Sequence, residues 1–392
     1  MDNENSVSSK LDYTLIFIIF LLACISIITL YFAPYPTNLS AKSMIMHQGM
    51  WFVIGGLVIA GIYIMDYDRF KFLSWIFYGI FMLLLFGLFA KQHGVPVPFA
   101  GDVVNGAVSW YNLPGIGSVQ PSEFMKIVLI LIISQIIVKH NESQAIRQIK
   151  DDFILLGKIV AVAFLPLIIV LLQPDLGTVT VYLAIIASLI IISGIRWRII
   201  IGLFLIAVIL ITALVICYFY IDKNIVFLFI EQHQLDRFYG WLDPQNNQNQ
   251  EGYQLLKSLM KIGSGELYGR GFAATNFSIP EGWTDFIFAV ICGTFGFVGG
   301  SITIAIYFLL VYRLVNAALK THDSYGTYIC TGIIGMLTFT IFENIGMTIQ
   351  LMPITGIPLP FISYGGSALL TNMIAIGLVL SIEARSRQYM FD

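Results

Sequence analysis

Asp285 is the residue whose placement most suggests chemistry. It lies in Pro280-Glu281-Gly282-Trp283-Thr284-Asp285-Phe286, directly ahead of a long apolar run. Burying Asp at the centre of a membrane helix costs roughly 2.5–3.5 kcal/mol, and less near the interface. An acid retained at that edge is a functional candidate, and a carboxylate there could take a proton from a hydroxyl nucleophile. The plainer reading is a helix cap that favours the N-terminal dipole. Further along the chain, Pro121-Ser122-Glu123 reads as a helix start, and Glu123 and Lys126 share a face three residues apart. A local ion pair is the plain reading of those two. Lys126 falls a turn inside the membrane, however, and needs a buried partner. Asp175, in the short turn Gln173-Pro174-Asp175-Leu176-Gly177, is expected to face it, although a Pro-Asp turn is also ordinary turn chemistry. Glycines flank Lys261 (Lys261-Ile262-Gly263-Ser264-Gly265) and Arg270 (Gly269-Arg270-Gly271), a pattern that suits close backbone approach to an anion such as a phosphate.

The elements that must position these residues are membrane spans. The chain has 392 residues, 58% hydrophobic and 11% charged, where a soluble domain is about 25% charged. Ten segments are long enough to cross: 13–33, 46–65, 71–90, 122–139, 153–172, 176–195, 197–220, 285–312, 325–349 and 364–384. The expected fold is an all-α integral membrane protein of about ten transmembrane helices, one polytopic domain over 1–392. The first span reads as an anchor and not a cleaved signal. Lys and Arg concentrate on the side of Lys10, Arg69, Lys71, Lys139, Arg147, Arg196 and Arg385, which predicts a cytoplasmic location for both termini. Lys223 falls on the opposite side. The long loops at 91–121 and 221–284 are then extracytoplasmic. Segment 254–262 is amphipathic at helical spacing and suits the membrane interface. Met352 to Ser367 holds three prolines and three glycines, which forbid a plain helix at the membrane edge. Glu343 and Asn344 sit near the same edge, where an intramembrane acid needs a partner.

Several classes are disfavoured. No basic block suggests nucleic acid, and the net charge is only −2. No glycine-rich phosphate loop or nucleotide fingerprint is present, so energy for chemistry must come from the substrate. Cys24, Cys217, Cys292 and Cys330 all lie in apolar segments without ligand spacing and read as packing residues. No internal repeat of the inverted-transporter kind stands out.

Taken together, the motifs resemble the shape, elongation, division and sporulation family, the RodA and FtsW proteins of bacterial cell-wall synthesis. The carriers are Gln120-Pro-Ser-Glu-Phe-Met-Lys126, Gln173-Pro-Asp-Leu-Gly177, Gln234-x-x-Arg237, Leu242-Asp-Pro244, Gly252-Tyr-Gln254, Thr284-Asp-Phe-Ile-Phe-Ala289 and Gly356-x-Pro-Leu-Pro-Phe-Ile-Ser-Tyr-Gly-Gly366. Leu370-Thr371-Asn372-Met373-Ile374 looks closer to the RodA branch. The resemblance implies a peptidoglycan glycosyltransferase. Such an enzyme joins lipid II, an undecaprenyl-pyrophosphate-linked disaccharide-pentapeptide, into glycan strands on the outer face of the membrane. By similarity Asp285 is the catalytic aspartate, and Trp110, Glu123, Lys126 and Asp175 match other functional positions, with Arg237 in a motif of its own.

The residue types suit that reaction. A carboxylate can deprotonate the attacking sugar hydroxyl. Charge growing on the lipid pyrophosphate needs Arg237, Lys261 or Arg270, or else a divalent cation such as Mg or Mn; no nucleotide is needed. The chain departs from the family pattern at Ser109, Trp283, Gly293, Thr294 and Glu266. Two other readings therefore stand beside the enzyme: a lipid II translocase, and a non-catalytic scaffold for a transpeptidase. The resemblance also implies a partner, a class B penicillin-binding protein. Gly293, Gly296, Gly299 and Gly300, with Gly332 and Gly335, have the small-residue spacing a partner helix would use, or that packing within the monomer would use.

Overall fold

The structure, a computed structural model, describes residues 11–35, 40–65, 67–102, 107–115, 117–143, 148–217, 232–247, 250–271 and 279–386. It is helical almost throughout. The helices are α1 (Tyr13–Phe32), α2 (Ala41–Ile64), α3 (Phe70–Gln92), α4 (Pro121–Glu142), α5 (Ile149–Leu172), α6 (Leu176–Ile192), α7 (Trp197–Ile216), α8 (Gln232–Leu242), α9 (Gln250–Ser264), α10 (Ile287–Lys320), α11 (Ser324–Thr348) and α12 (Gly366–Ser386). Eight are long and apolar enough to cross a membrane, and Leu176–Ile192 and Trp197–Leu210 are shorter apolar helical stretches. The ten expected spans each correspond to one helix. Lys223 lies outside the described residues.

Local sequence explains the ends of these helices. Pro121 opens α4 in its first turn, where a missing N–H costs nothing. Asp12, Asp175 and Asp323 cap α1, α6 and α11 through side-chain oxygens. Gln148 and Asp151 form a capping box at α5. The most enclosed helices are α4 and α12. Helix α12 packs along α2, and α11 packs on α6, α4 and α10. The core is a continuous apolar cluster that includes Leu129, Ile132, Tyr182, Leu337 and Leu378.

The two long loops hold structure of their own. Residues 111–113 (β1) pair antiparallel with 117–119 (β2), Tyr111 opposite Val119. The hairpin is anchored because the Tyr111 hydroxyl donates to the Leu84 carbonyl at 3.0 Å. In the other loop the amphipathic stretch becomes α9. It buries Leu255, Ser258 and Lys261 and exposes Tyr253 and Met260.

Helix α10 is 34 residues long and broken at Gly296, whose φ of 67° and ψ of −162° are not helical. The break frees backbone groups, and the chain after α9 takes them up. Phe297 N donates to Glu266 O at 2.8 Å, Val298 N to Leu267 O at 3.1 Å, and Arg270 N to Gly293 O at 3.1 Å. Gly293, Gly296, Gly332 and Gly335 therefore serve packing within the monomer, whereas a Cβ on Gly299 or Gly300 would meet only atoms of α10 itself. A Cβ on Gly293 would lie 2.6 Å from Lys261 Cγ, one on Gly296 would strike the Gly269 backbone, and one on Gly332 would lie 2.8 Å from Ile130 Cγ2. Gly335 abuts Ser188. For these four glycines the contacts favour internal packing.

Ionisable groups are not confined to one end of the bundle. At the end opposite Asp285, Asp12 pairs with Arg313, Asp152 lies 3.6 Å from Arg196, and Glu383 is buried. From the sequence, the intramembrane ionisable groups are expected to crowd the outer half; the structure places them at both ends. Asp12 has its charge held in place: burial acts to raise its pKa, but Arg313 and the Leu15 and Thr14 N–H groups outweigh that and lower it.

Candidate active site

A crevice of about 970 Å³ opens at one end of the bundle. It is lined from the starts of α2, α4, α6 and α12, the β hairpin, the turn before α10 and the segment between α11 and α12. Six of the eight residues expected to act together line it: Trp110, Glu123, Lys126, Asp175, Arg237 and Asp285.

Asp285 does not cap α10. It lies in the turn 281–286, and the cap position belongs to Phe286, which makes no side-chain cap bond. The helix begins two residues after the acid. The non-helical segment after α11 lies against it. Gly356, at φ 74°, is where a Cβ would come 3.3 Å from Asp285 Oδ2 and 3.9 Å from Arg237 Nη1. Arg237 Nη1 donates to Thr355 O at 3.2 Å. A carboxylate and a guanidinium thus flank one glycine. The same segment presses on Gly177, next to Asp175, where a Cβ would lie 2.9 Å from Thr355 O.

Lys126 Nζ is 2.6 Å from Glu123 Oε1, and both side chains are nearly fully buried. The expected pairing of Lys126 with Asp175 does not form. Asp175 instead accepts from Thr178 N at 3.0 Å, Thr178 Oγ1 at 2.8 Å and Gln120 Nε2 at 3.2 Å. The reason is proximity: Glu123 is one turn away on α4, whereas Asp175 is already satisfied by the helix it starts. Tyr182 fixes the base of α4 by donating to Ser122 O at 2.8 Å. Trp110 is 42% exposed at the crevice rim, and its carbonyl accepts from Gly101 N at 2.9 Å. Ser367 at the head of α12 accepts from Gln120 N at 3.0 Å, which joins hairpin, α4 and α12.

Lys261 and Arg270 do not line the crevice. Lys261 is fully buried on the inner face of α9 against Gly293, and burial pushes its pKa down to about 8. Arg270 donates through Nε to Ser264 O at 2.8 Å and sits on the surface beside the α10 break. Both follow from the glycines around them. These let backbone approach backbone at the break.

Sequence reasoning did not single out His47, Trp51, Glu281 and Tyr364, which also line the crevice. No local pattern marks His47 and Trp51, which become neighbours through helix packing, whereas Glu281 shares the Asp285 turn and Tyr364 lies in the Gly356–Gly366 motif. Among the described residues no group of three His, Cys, Asp or Glu is placed to hold a metal. Glu123 is spent on Lys126 and Asp175 on α6. Asp285 and Glu281 are the remaining crevice carboxylates that fit a divalent cation whose other ligands are phosphate oxygens and water.

Residues 12–388 match the family described as cell cycle protein, which groups FtsW, RodA and SpoVE. The chain is 33% identical to stage V sporulation protein E of Bacillus subtilis, over 96% of this chain and 98% of that protein. It is 29% identical to the peptidoglycan glycosyltransferase RodA of Treponema pallidum, over 96% and 98%. Against the peptidoglycan glycosyltransferase MrdB of Escherichia coli it is 34% identical over 75% of each. A solved chain described under the structural coordination of polymerization and crosslinking by a peptidoglycan synthase complex superposes with a TM-score of 0.76. It has 26% identity and covers 96% of this chain and 99% of that one. RodA of Thermus thermophilus superposes with a TM-score of 0.65 at 25% identity, over 95% and 96%. RodA and FtsW relatives match at similar identity, so they do not separate the two branches. With nearly its whole length matched by the family and by these relatives, the chain belongs to the FtsW, RodA and SpoVE family of bacterial membrane proteins.

Proposed function

We propose that the chain is a peptidoglycan glycosyltransferase that polymerises lipid II, with Asp285 as its general base. The observation that carries this is the crevice itself, where the Asp285 carboxylate, the Arg237 guanidinium and a buried ion pair converge at one end of a membrane bundle. The names of the relatives point the same way.

The chemistry follows from the arrangement. Asp285 takes the proton of the acceptor's sugar hydroxyl as its oxygen bonds to the donor's anomeric carbon. The bond from that carbon to the pyrophosphate oxygen breaks, and the electron pair leaves on the lipid pyrophosphate. Arg237, beside Gly356, offers positive charge to the leaving oxygens. A divalent cation such as Mg or Mn, held by Asp285 and the pyrophosphate, would supply further charge neutralisation. Lys126 and Glu123 shape the floor and keep their charges balanced. Trp110 offers an aromatic face at the rim for a sugar ring. The crevice end faces outward, with both termini cytoplasmic, as the distribution of Lys and Arg supports. A class B penicillin-binding protein is the partner that would crosslink the product.

The test is to incubate the purified protein with lipid II, with and without a class B penicillin-binding protein, and resolve glycan ladders. Ladders from the parent that are absent from Asp285→Asn support the reading. Near-normal ladders from Asp285→Asn show that Asp285 is not the base. Movement of lipid II across vesicles without ladders favours a translocase.

A further inference from the structure

Trp283, Thr284 and Asp285 run into α10 without giving their carbonyls to it. Buried carbonyls in such a place need donors from elsewhere. Each has one. Tyr364 N donates to Trp283 O at 3.0 Å, Ser363 Oγ donates to Thr284 O at 2.6 Å, and Asn344 Nδ2 donates to Asp285 O at 2.7 Å. The first two donors belong to the segment after α11. The third belongs to α11 itself, the rigid element.

Asn344 has no solvent exposure, and its amide nitrogen also donates to Ile357 O at 2.7 Å. Its Oδ1 is buried without a hydrogen-bond partner. The side chain therefore spends both donors on two carbonyls and leaves its acceptor unsatisfied, an arrangement that costs free energy. The two carbonyls are a meaningful pair. One belongs to Asp285, and the other to the residue after Gly356, the glycine that touches the Asp285 carboxylate and approaches Arg237.

We propose that Asn344 is a positioning residue for Asp285. By clamping the Asp285 and Ile357 carbonyls to α11 with one amide, it sets the distance between the carboxylate and the Gly356–Arg237 side of the crevice. This rests on the reading of Asp285 as the general base. The clamp requires two N–H donors from one short, planar group. Asp in that place turns an oxygen toward two carbonyl oxygens, and when protonated it restores one of the two bonds. Leu fills similar space and restores neither.

The experiment measures kcat and KM for lipid II polymerisation and thermal stability for the parent, Asn344→Asp and Asn344→Leu across a pH series. A displacement near 1 Å at a catalytic group costs about a hundredfold in rate. The expected result is a fall of that order in kcat for both variants at neutral pH, with KM unchanged. The ratio of Asn344→Asp to parent kcat is expected to rise toward acid pH, where the carboxyl can donate. If Asn344→Leu fails to fold, Asn344→Asp carries the test; failure of both to fold makes Asn344 structural and overturns the proposal. Parental kcat in folded Asn344→Asp overturns it, as does a loss that appears equally in KM and stability with a ratio flat in pH. A parent that makes no glycan overturns the polymerase reading and this proposal with it. An active parent with an active Asn344→Asp overturns this proposal alone.

Discussion

Lys126 Nζ meets Glu123 Oε1 at 2.6 Å, one turn apart on α4, with both side chains almost entirely out of solvent. A buried pair of this kind is weak evidence of net stabilisation, but removing one partner strands a charge. Such a loss costs about 3–5 kcal/mol, while replacing both charges by groups of similar volume is often neutral. Lys126→Met and Glu123→Gln are each expected to lower the melting temperature more than the double variant does. Thermal unfolding in detergent checks this, and single variants as stable as the double one would show that the pair is not coupled.

Gly356 is the second test of the crevice geometry. Its φ of 74° is in the left-handed region, and a Cβ there would press on Asp285 Oδ2. Gly356→Ala is expected to reduce polymerisation about tenfold or more, through displacement of the acid, while the folded yield drops modestly. Unchanged ladder formation would mean that the carboxylate does not depend on this contact.

Lys261 makes a pH prediction. Its pKa in the fold is about 8, against an ordinary value of 10.5, because burial disfavours the charge. The lowered value means that the folded state releases its proton first. Between about pH 8 and 10.5 the unfolded chain holds more protons, so stability rises with pH across that window. Below pH 8 the full penalty of burying the charge is present, on the order of 3 kcal/mol. Lys261→Met is expected to raise the melting temperature at neutral pH and to flatten its rise from pH 8 to 10. A melting temperature that falls in this variant at neutral pH would instead show the charge to be stabilising.

Gly332 and Gly335 face Ile130 and Ser188 of neighbouring helices. Gly332→Leu overpacks the α11–α4 contact, at a cost of about 1–3 kcal/mol. The expected outcome is a lower folded yield with or without a transpeptidase present. Full folded yield with selective loss of co-purification would return these glycines to a partner interface.

Much of this architecture was legible in the residue order. Apolar runs gave ten helices because a bilayer-length segment must satisfy its own backbone. Pro121, Asp175 and the Pro- and Gly-rich stretch at 352–367 announced a helix start, a turn and a broken backbone through local stereochemistry alone. The motifs carrying Trp110, Glu123, Lys126, Asp175, Arg237 and Asp285 marked residues that the fold brings to one crevice.

Which of those residues touch was decided by tertiary structure. From sequence, Lys126 had two acids within reach, and Asp285 could be read as a functional acid or as a cap. Lys126 went to Glu123 one turn away on α4, Asp175 went to the helix it starts, and α10 begins beyond Asp285; packing then brought these separate local arrangements to one crevice. The glycine-flanked cations at 261 and 270 looked ready for an anion, yet the break at Gly296 took up that backbone instead. Asn344 was placed at the membrane edge by sequence, but its partners were not legible, because they are carbonyls 59 and 13 residues away. Spacing along the chain reports local turns and faces. Pairings between distant segments depend on how ten helices fill a common core, and this no short motif encodes.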